Sequence, residues 1–134
     1  MRKYYTSFDE MIIGIRKDLE VVFDVVCKEL CEELNDLLFY YIYEQKAENV
    51  DVYKRTFQMT GIVDYKKIGS LNAEFYYDER LITTIDNPFH NMLEQGGTME
   101  QMVDVASWGR DEDIRAYIVK RFPQLCRIHM KQLN

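Results

Sequence analysis

The chain has 134 residues, 47% of them hydrophobic and 30% charged, with a net charge of −6, which suits a single domain over residues 1–134 and is too short for two full-sized ones. Ten Tyr, seven Phe and one Trp against six Gly and two Pro exclude low-complexity disorder. No apolar run approaches the ~20 residues that span a bilayer, and Met1-Arg2-Lys3-Tyr4-Tyr5 leads into charged sequence, so neither a secretory leader nor membrane contact is expected.

Ser7 followed by Glu10 reads as a capping box, and behind it Phe8, Met11, Ile12, Ile15, Leu19, Val22, Phe23, Val26, Leu30, Leu34, Leu37, Leu38 and Tyr41 recur at steps of three and four. That spacing predicts a long amphipathic helix with Arg16, Lys17, Asp18, Glu20, Asp24, Lys28, Glu29, Glu32, Glu33 and Asp36 on its wet side. Gly14 weakens it locally, by about 1 kcal/mol relative to Ala, and Asn35-Asp36 offers a break. Unbroken from Ser7 to about Tyr43, such a helix is about 55 Å long, against a diameter near 36 Å for a compact domain of this size. It therefore either kinks near Asn35 or projects, and the projecting version is preferred, with the aromatic end Phe39, Tyr40, Tyr41 and Tyr43 seeking a partner.

After Ala47-Glu48-Asn49 the periodicity changes. Residues 62–68 alternate, Gly69-Ser70 supplies a turn, residues 71–77 make a second strand and residues 81–85 a third. Asp86-Asn87-Pro88 closes that run, and residues 88–109, with Gly96-Gly97 and Gly109, read as an irregular excursion. Asp111-Glu112-Asp113 then opens a helix carrying Ile114, Tyr117, Ile118 and Phe122, in which Pro123 marks a kink or a restart. The order of elements predicts an α+β fold: a long N-terminal helix packed on a small antiparallel sheet, with a C-terminal helix.

Charge is unevenly spread. Residues 74–113 hold two cations and ten anions, whereas residues 114–134 hold five cations and no anion. In a protein that is acidic as a whole, Arg115, Lys120, Arg121, Arg127 and Lys131 are better read as one face of the last helix, or as a partner for the acidic stretch, than as a nucleic-acid site. Lys120 and Arg121 are accordingly expected at a contact between subunits.

No pattern demands catalysis, a cofactor or a metal. Cys27, Cys31 and Cys126 are odd in number and lack framework spacing, so they read as reduced thiols in a cytosolic setting, and Cys27 and Cys31 sit on or beside the apolar stripe. Asp78, Glu79 and His90 could be drawn as an acid/base or metal group of a small hydrolase, but Asp78-Glu79-Arg80 has turn chemistry. Nucleophile elbow, phosphate loop and His-Glu-x-x-His helix are missing from the sequence.

The segment Val52-Tyr53-Lys54-Arg55-Thr56 reads as a clasp between the long helix and the first strand, with Arg55 bonding carbonyls or a carboxylate and Thr56 capping the turn. Tyr53, Arg55 and Thr56 after a long helix, followed by a few strands and a closing helix, resemble the head-tail connector or tail-completion proteins of tailed bacteriophages. In that family the segment usually continues Gly-x-Leu, whereas Phe57-Gln58-Met59 stands here; Gly96-Gly97 is similar in placement to a later glycine. The resemblance implies a non-enzymatic virion part, with copies assembling as a ring at the neck or upper tail through helix and sheet edges. Its expected partners are further copies and other phage head or tail proteins, and its expected place is the virion, or the host cytoplasm during assembly. The alternative is a small intracellular binding or regulatory protein that dimerises through its long helix.

Overall fold

A computed structural model describes residues 4–44, 61–83 and 88–133. Helix α1 runs from Phe8 to Phe39, strands β1 (Val63–Gly69) and β2 (Asn72–Tyr77) form an antiparallel pair, and helices α2 (Pro88–Glu94), α3 (Met99–Ala106) and α4 (Asp111–Gln132) follow. The fold is α+β, a long N-terminal helix and a C-terminal helix around a small hairpin.

The Ser7 hydroxyl accepts from the Glu10 N–H at 3.1 Å and so caps α1. The Glu10 carboxylate reaches back to the N–H and hydroxyl of Thr6 rather than to Ser7. From Val22 onward the predicted stripe becomes core: Val26, Leu30 and Leu34 are fully enclosed, and Leu38 nearly so. These residues recur at steps of four, so they occupy one side of the helix and meet Ile62 and Val63 of the hairpin, Met102 and Val103 of α3, and Ile114 and Leu125 of α4 in one cluster. Phe23 and Phe122 meet edge to face with ring centroids 5.8 Å apart, joining α1 to α4.

Helix α1 does not break at Asn35. The side-chain amide donates to the Val63 carbonyl at 2.9 Å, and its oxygen accepts from the Val63 N–H at 2.9 Å. An asparagine that usually competes with its own backbone is here occupied by a strand, which removes the reason for a break. The Cys31 thiol donates to the same Val63 carbonyl at 3.0 Å. One turn of helix thus grips the start of β1 by its main chain.

At the far end the chain tightens into a π-helical turn over Tyr40–Glu44, and the Tyr40 N–H is shared between the carbonyls of Asp36 and Leu37. Among the described residues of this end Tyr40 stays exposed, while its neighbours turn back onto the body. Ile42 is 3% exposed and Tyr41 packs on the core.

Hairpin register places Val63 opposite Tyr77 and Tyr65 opposite Phe75, with an irregularity between Lys67 and Gly69. The Tyr65 and Phe75 rings lie 6.1 Å apart, a cross-strand aromatic pair on the half-buried face. The third strand predicted over residues 81–85 is not formed at its start: Asp78 caps a short 3₁₀ turn, Glu79–Leu81, by accepting from the Arg80 N–H. Ile82 is buried beneath that turn without strand pairing, and residues 84 and 85 lie outside the described residues.

The excursion over residues 88–109 is also corrected, since it holds two helices. Pro88 is the first residue of α2, and Gly96, at φ 91°, with Gly97, whose N–H donates to the Met92 carbonyl, ends it. Thr98 and Gln101 form a reciprocal capping box at the start of α3. Trp108, at φ 62°, and Gly109, at φ 79°, then turn the chain into α4, which continues across Pro123 without a restart.

The grip on Val63 yields a stability prediction. Asn35→Ala strands the Val63 N–H at a part-buried site and is expected to cost about 1 to 3 kcal/mol in urea unfolding. The neighbouring exposed Asp36→Ala is expected to change the midpoint little. Equal midpoints for the two variants would show that the helix does not hold the strand through this amide.

Candidate functional site

The stripe on α1 is continuous in sequence, but the domain covers only part of it. Phe8 is 69% exposed, Ile12 48% and Ile15 45%, whereas Val22 and Phe23 are 5% exposed. The boundary falls near Asp18 and Leu19, where burial begins. About 15 Å of helix, residues 8–17, therefore carries apolar side chains that lie outside the core formed by the described residues. The ring of Tyr5 lies against Gly14, where a Cβ would collide with it. This contact leaves the Phe8, Ile12 and Ile15 side open.

At the opposite end of α1, Tyr40 is 52% exposed while Phe39 and Tyr41 are half-buried. Arg110 stands over the Tyr41 ring at 5.7 Å and pairs with Asp113 at 3.0 Å. Trp108 lies exposed in the turn before α4. For Tyr43 the structure describes the backbone alone, and Tyr53, Arg55 and Thr56 lie outside the described residues, so the clasp is not located.

The basic last helix spends much of its charge inside the chain. Arg121 bonds Glu33 of α1 at 2.9 Å, with the Tyr117 hydroxyl donating to the same carboxylate at 2.8 Å. Arg115 bonds Asp111 at 3.0 Å and stands 3.7 Å from Glu100. His129 meets Glu29 at 2.5 Å. Of the two cations expected at a contact between subunits, Lys120 is exposed and Arg121 is held by Glu33. The acidic 74–113 stretch supplies Asp111 and Glu100 to Arg115, but α1 supplies the partners of Arg121 and His129. Intrachain pairing across α1 and α4 was not legible from net charge by segment, because it depends on which helix faces which.

Beside this network Asp111, 8% exposed, accepts from the Tyr77 hydroxyl at 2.5 Å as well as from Arg115. A cavity of about 220 Å³ opens next to it, bounded by Leu34, Phe75, Glu100, Ile114 and Arg115. Tyr77 and Arg115 at its wall are both held by Asp111, so the Tyr77-Asp111-Arg115 chain pins the hairpin to the start of α4.

The residues considered for hydrolysis separate into local pairs. Both Asp78 oxygens are taken by the Arg80 guanidinium at 2.9 Å, which holds the carboxyl below its usual range. His90 donates Nδ1–H to the Ile82 carbonyl at 3.2 Å and places Nε2 3.1 Å from Glu94. Among the described residues no three His, Cys, Asp or Glu side chains come together as a metal site, and no helix is long and apolar enough to cross a membrane.

Cys27 and Cys31 are buried in the α1 stripe, and burial, reinforced by Asp24 for Cys27 and by Asp64 for Cys31, pushes both thiols up to about 11. Burial and the hydrogen bond to Asp111 raise Tyr77 as well. A group whose folded pKa is raised stabilises the fold fully below its unfolded pKa and loses that contribution as pH climbs through the folded value. Urea stability is therefore expected to hold to about pH 8.5 and to fall through pH 11 as these thiols ionise. At pH 8 a thiol reagent should reach the half-buried Cys126 first and reach Cys27 and Cys31 only through unfolding. Rapid labelling of all three in the native protein would contradict this burial.

No family model, curated protein or solved structure matches the chain.

Proposed function

We propose that the protein is a non-enzymatic structural subunit that assembles with copies of itself. Of assemblies of this kind, the reading adopted is a head-tail connector or tail-completion part of a phage or prophage. The observation that carries self-assembly is the open stripe of Phe8, Ile12 and Ile15 on a helix that extends past its own core. A helix of this length gains little from propensity alone, and its apolar side is stabilised only when something covers it. The specific assignment to a phage neck or upper tail rests on the resemblance of Tyr53, Arg55 and Thr56 and of the element order to that family. Under this reading the protein works in the virion, is made in the host cytoplasm, and meets other head or tail proteins as well as itself.

The second reading is a small binding or regulatory protein that is complete as a dimer. It is favoured by the confinement of the uncovered stripe to one short stretch of one helix, which two copies are enough to close.

Native mass spectrometry and sedimentation at tens of micromolar test self-assembly and separate the two readings. Closed species of many copies, multiples of 16.1 kDa, are expected for the connector, a dimer and nothing larger supports the second reading, and a strict monomer at every concentration contradicts both.

A further inference from the structure

We infer that the open end of α1 pairs antiparallel with the same segment of a second copy, about a two-fold axis near residues 13 and 14. This rests on the reading of the chain as a self-assembling subunit and adds to it an interface of defined residues and register. A two-fold contact uses the same patch on both copies, so the patch must be complementary to itself.

Segment 8–19 meets that requirement in two independent ways. Four of its six apolar residues are spaced symmetrically: reversed about the midpoint between Ile13 and Gly14, Phe8 falls opposite Leu19 and Ile12 opposite Ile15, while Met11 falls opposite Arg16 and Ile13 opposite Gly14. Phe8, Ile12 and Ile15 are the exposed members of the stripe, and Leu19 is the half-buried residue at which the domain begins to cover it. The pairing therefore continues the apolar seam of the domain core outward.

The charges are arranged in the same sense. Asp9 and Arg16 are seven residues apart, within about 20° of two full turns, so they stand on one flank of the stripe. In an antiparallel pair each flank faces the same flank of the other copy. The register that matches the apolar residues brings Asp9 of one copy within about 3 Å, along the axis, of level with Arg16 of the other. Two such attractions form per pair of copies. Arg16 is 65% exposed and its contact in the chain is an exposed one with Glu20 at 3.4 Å, so its guanidinium is available to swing across. A parallel pairing in register would instead turn this flank toward the opposite flank of the other copy, and Asp9 would not meet Arg16.

Four apolar side chains from each copy cover much less than the ~800 Å² per partner of a stable complex, so this contact is weak alone and belongs at micromolar concentrations or within a larger assembly. The test is a charge swap read by sedimentation equilibrium. Asp9→Arg and Arg16→Asp each turn two attractions into two repulsions, and each variant alone is expected to self-associate about tenfold more weakly than the wild type. In an equimolar mixture of the two, one copy is basic at both positions and the other acidic at both. Both contacts between unlike copies are then attractive, so association is expected to return to near the wild-type level. Both positions are exposed, and unchanged urea midpoints confirm that the variants fold. Ile12→Ser is expected to weaken association in every mixture. A mixture as weak as its two components overturns the antiparallel register, and so does an Asp9→Arg variant that associates like the wild type while the wild type itself assembles. A wild-type chain that stays monomeric overturns this pairing together with the self-assembly reading on which it rests.

Discussion

The two hydrogen bonds between the Asn35 amide and the main chain of Val63 set the arrangement of the whole domain. A two-stranded hairpin is marginal by itself in water and must be held against something rigid. Here the holder is the middle of a 32-residue helix. Fixing Val63 also fixes its opposite residue, Tyr77, whose hydroxyl reaches Asp111 at the first turn of α4. From Asp111 the network continues to Arg115, and Tyr117 and Arg121 return to Glu33 on α1, two residues before Asn35. Helix, hairpin and last helix are thereby tied in a closed circuit around the enclosed side chains of Leu34 and Leu30.

That circuit sits on the second half of α1, and this explains why the first half is left open. The hairpin, α3 and α4 gather on the stripe from Val22 to Ile42, and little of the described chain remains to cover Phe8, Ile12 and Ile15. The domain thus has a firmly held body and a helical arm of the same composition as its core. An arm of this kind contributes to stability only when it is covered, so its folding and its association are coupled.

Much of the architecture was legible from local signals. Steps of three and four from Phe8 to Tyr41, alternation over residues 62–68, and three acids at Asp111 each correspond to the element found. The apolar run at Leu81-Ile82 misled because Ile82 is buried as a single residue below a 3₁₀ turn, and a short apolar run does not reveal whether a strand or a turn buries it. Helices α2 and α3 were readable in hindsight: Pro88 is a helix-opening residue, Gly96-Gly97 a stop, and Thr98-x-x-Gln101 a capping box. Their glycines stood out more than these caps because the helices are only seven and eight residues long.

The sequence pointed to an open apolar surface at the aromatic end of α1, where Tyr40 is exposed, and did not point to the open stretch of Phe8, Ile12 and Ile15 at the other end. Length alone left either a kink near Asn35 or a projecting end, and where an uncovered stretch falls depends on where the hairpin and α4 dock, which involves Asn35, Glu33 and Phe23. No periodicity distinguishes Phe8 from Phe39 on that point. Amide hydrogen exchange measured residue by residue at low and high protein concentration tests the division most directly. The account predicts that amides of residues 8–17 exchange quickly in dilute solution and slow as concentration rises, while those of residues 26–38 exchange only by global unfolding at any concentration. Protection of residues 8–17 equal to that of residues 26–38 in dilute solution would contradict it.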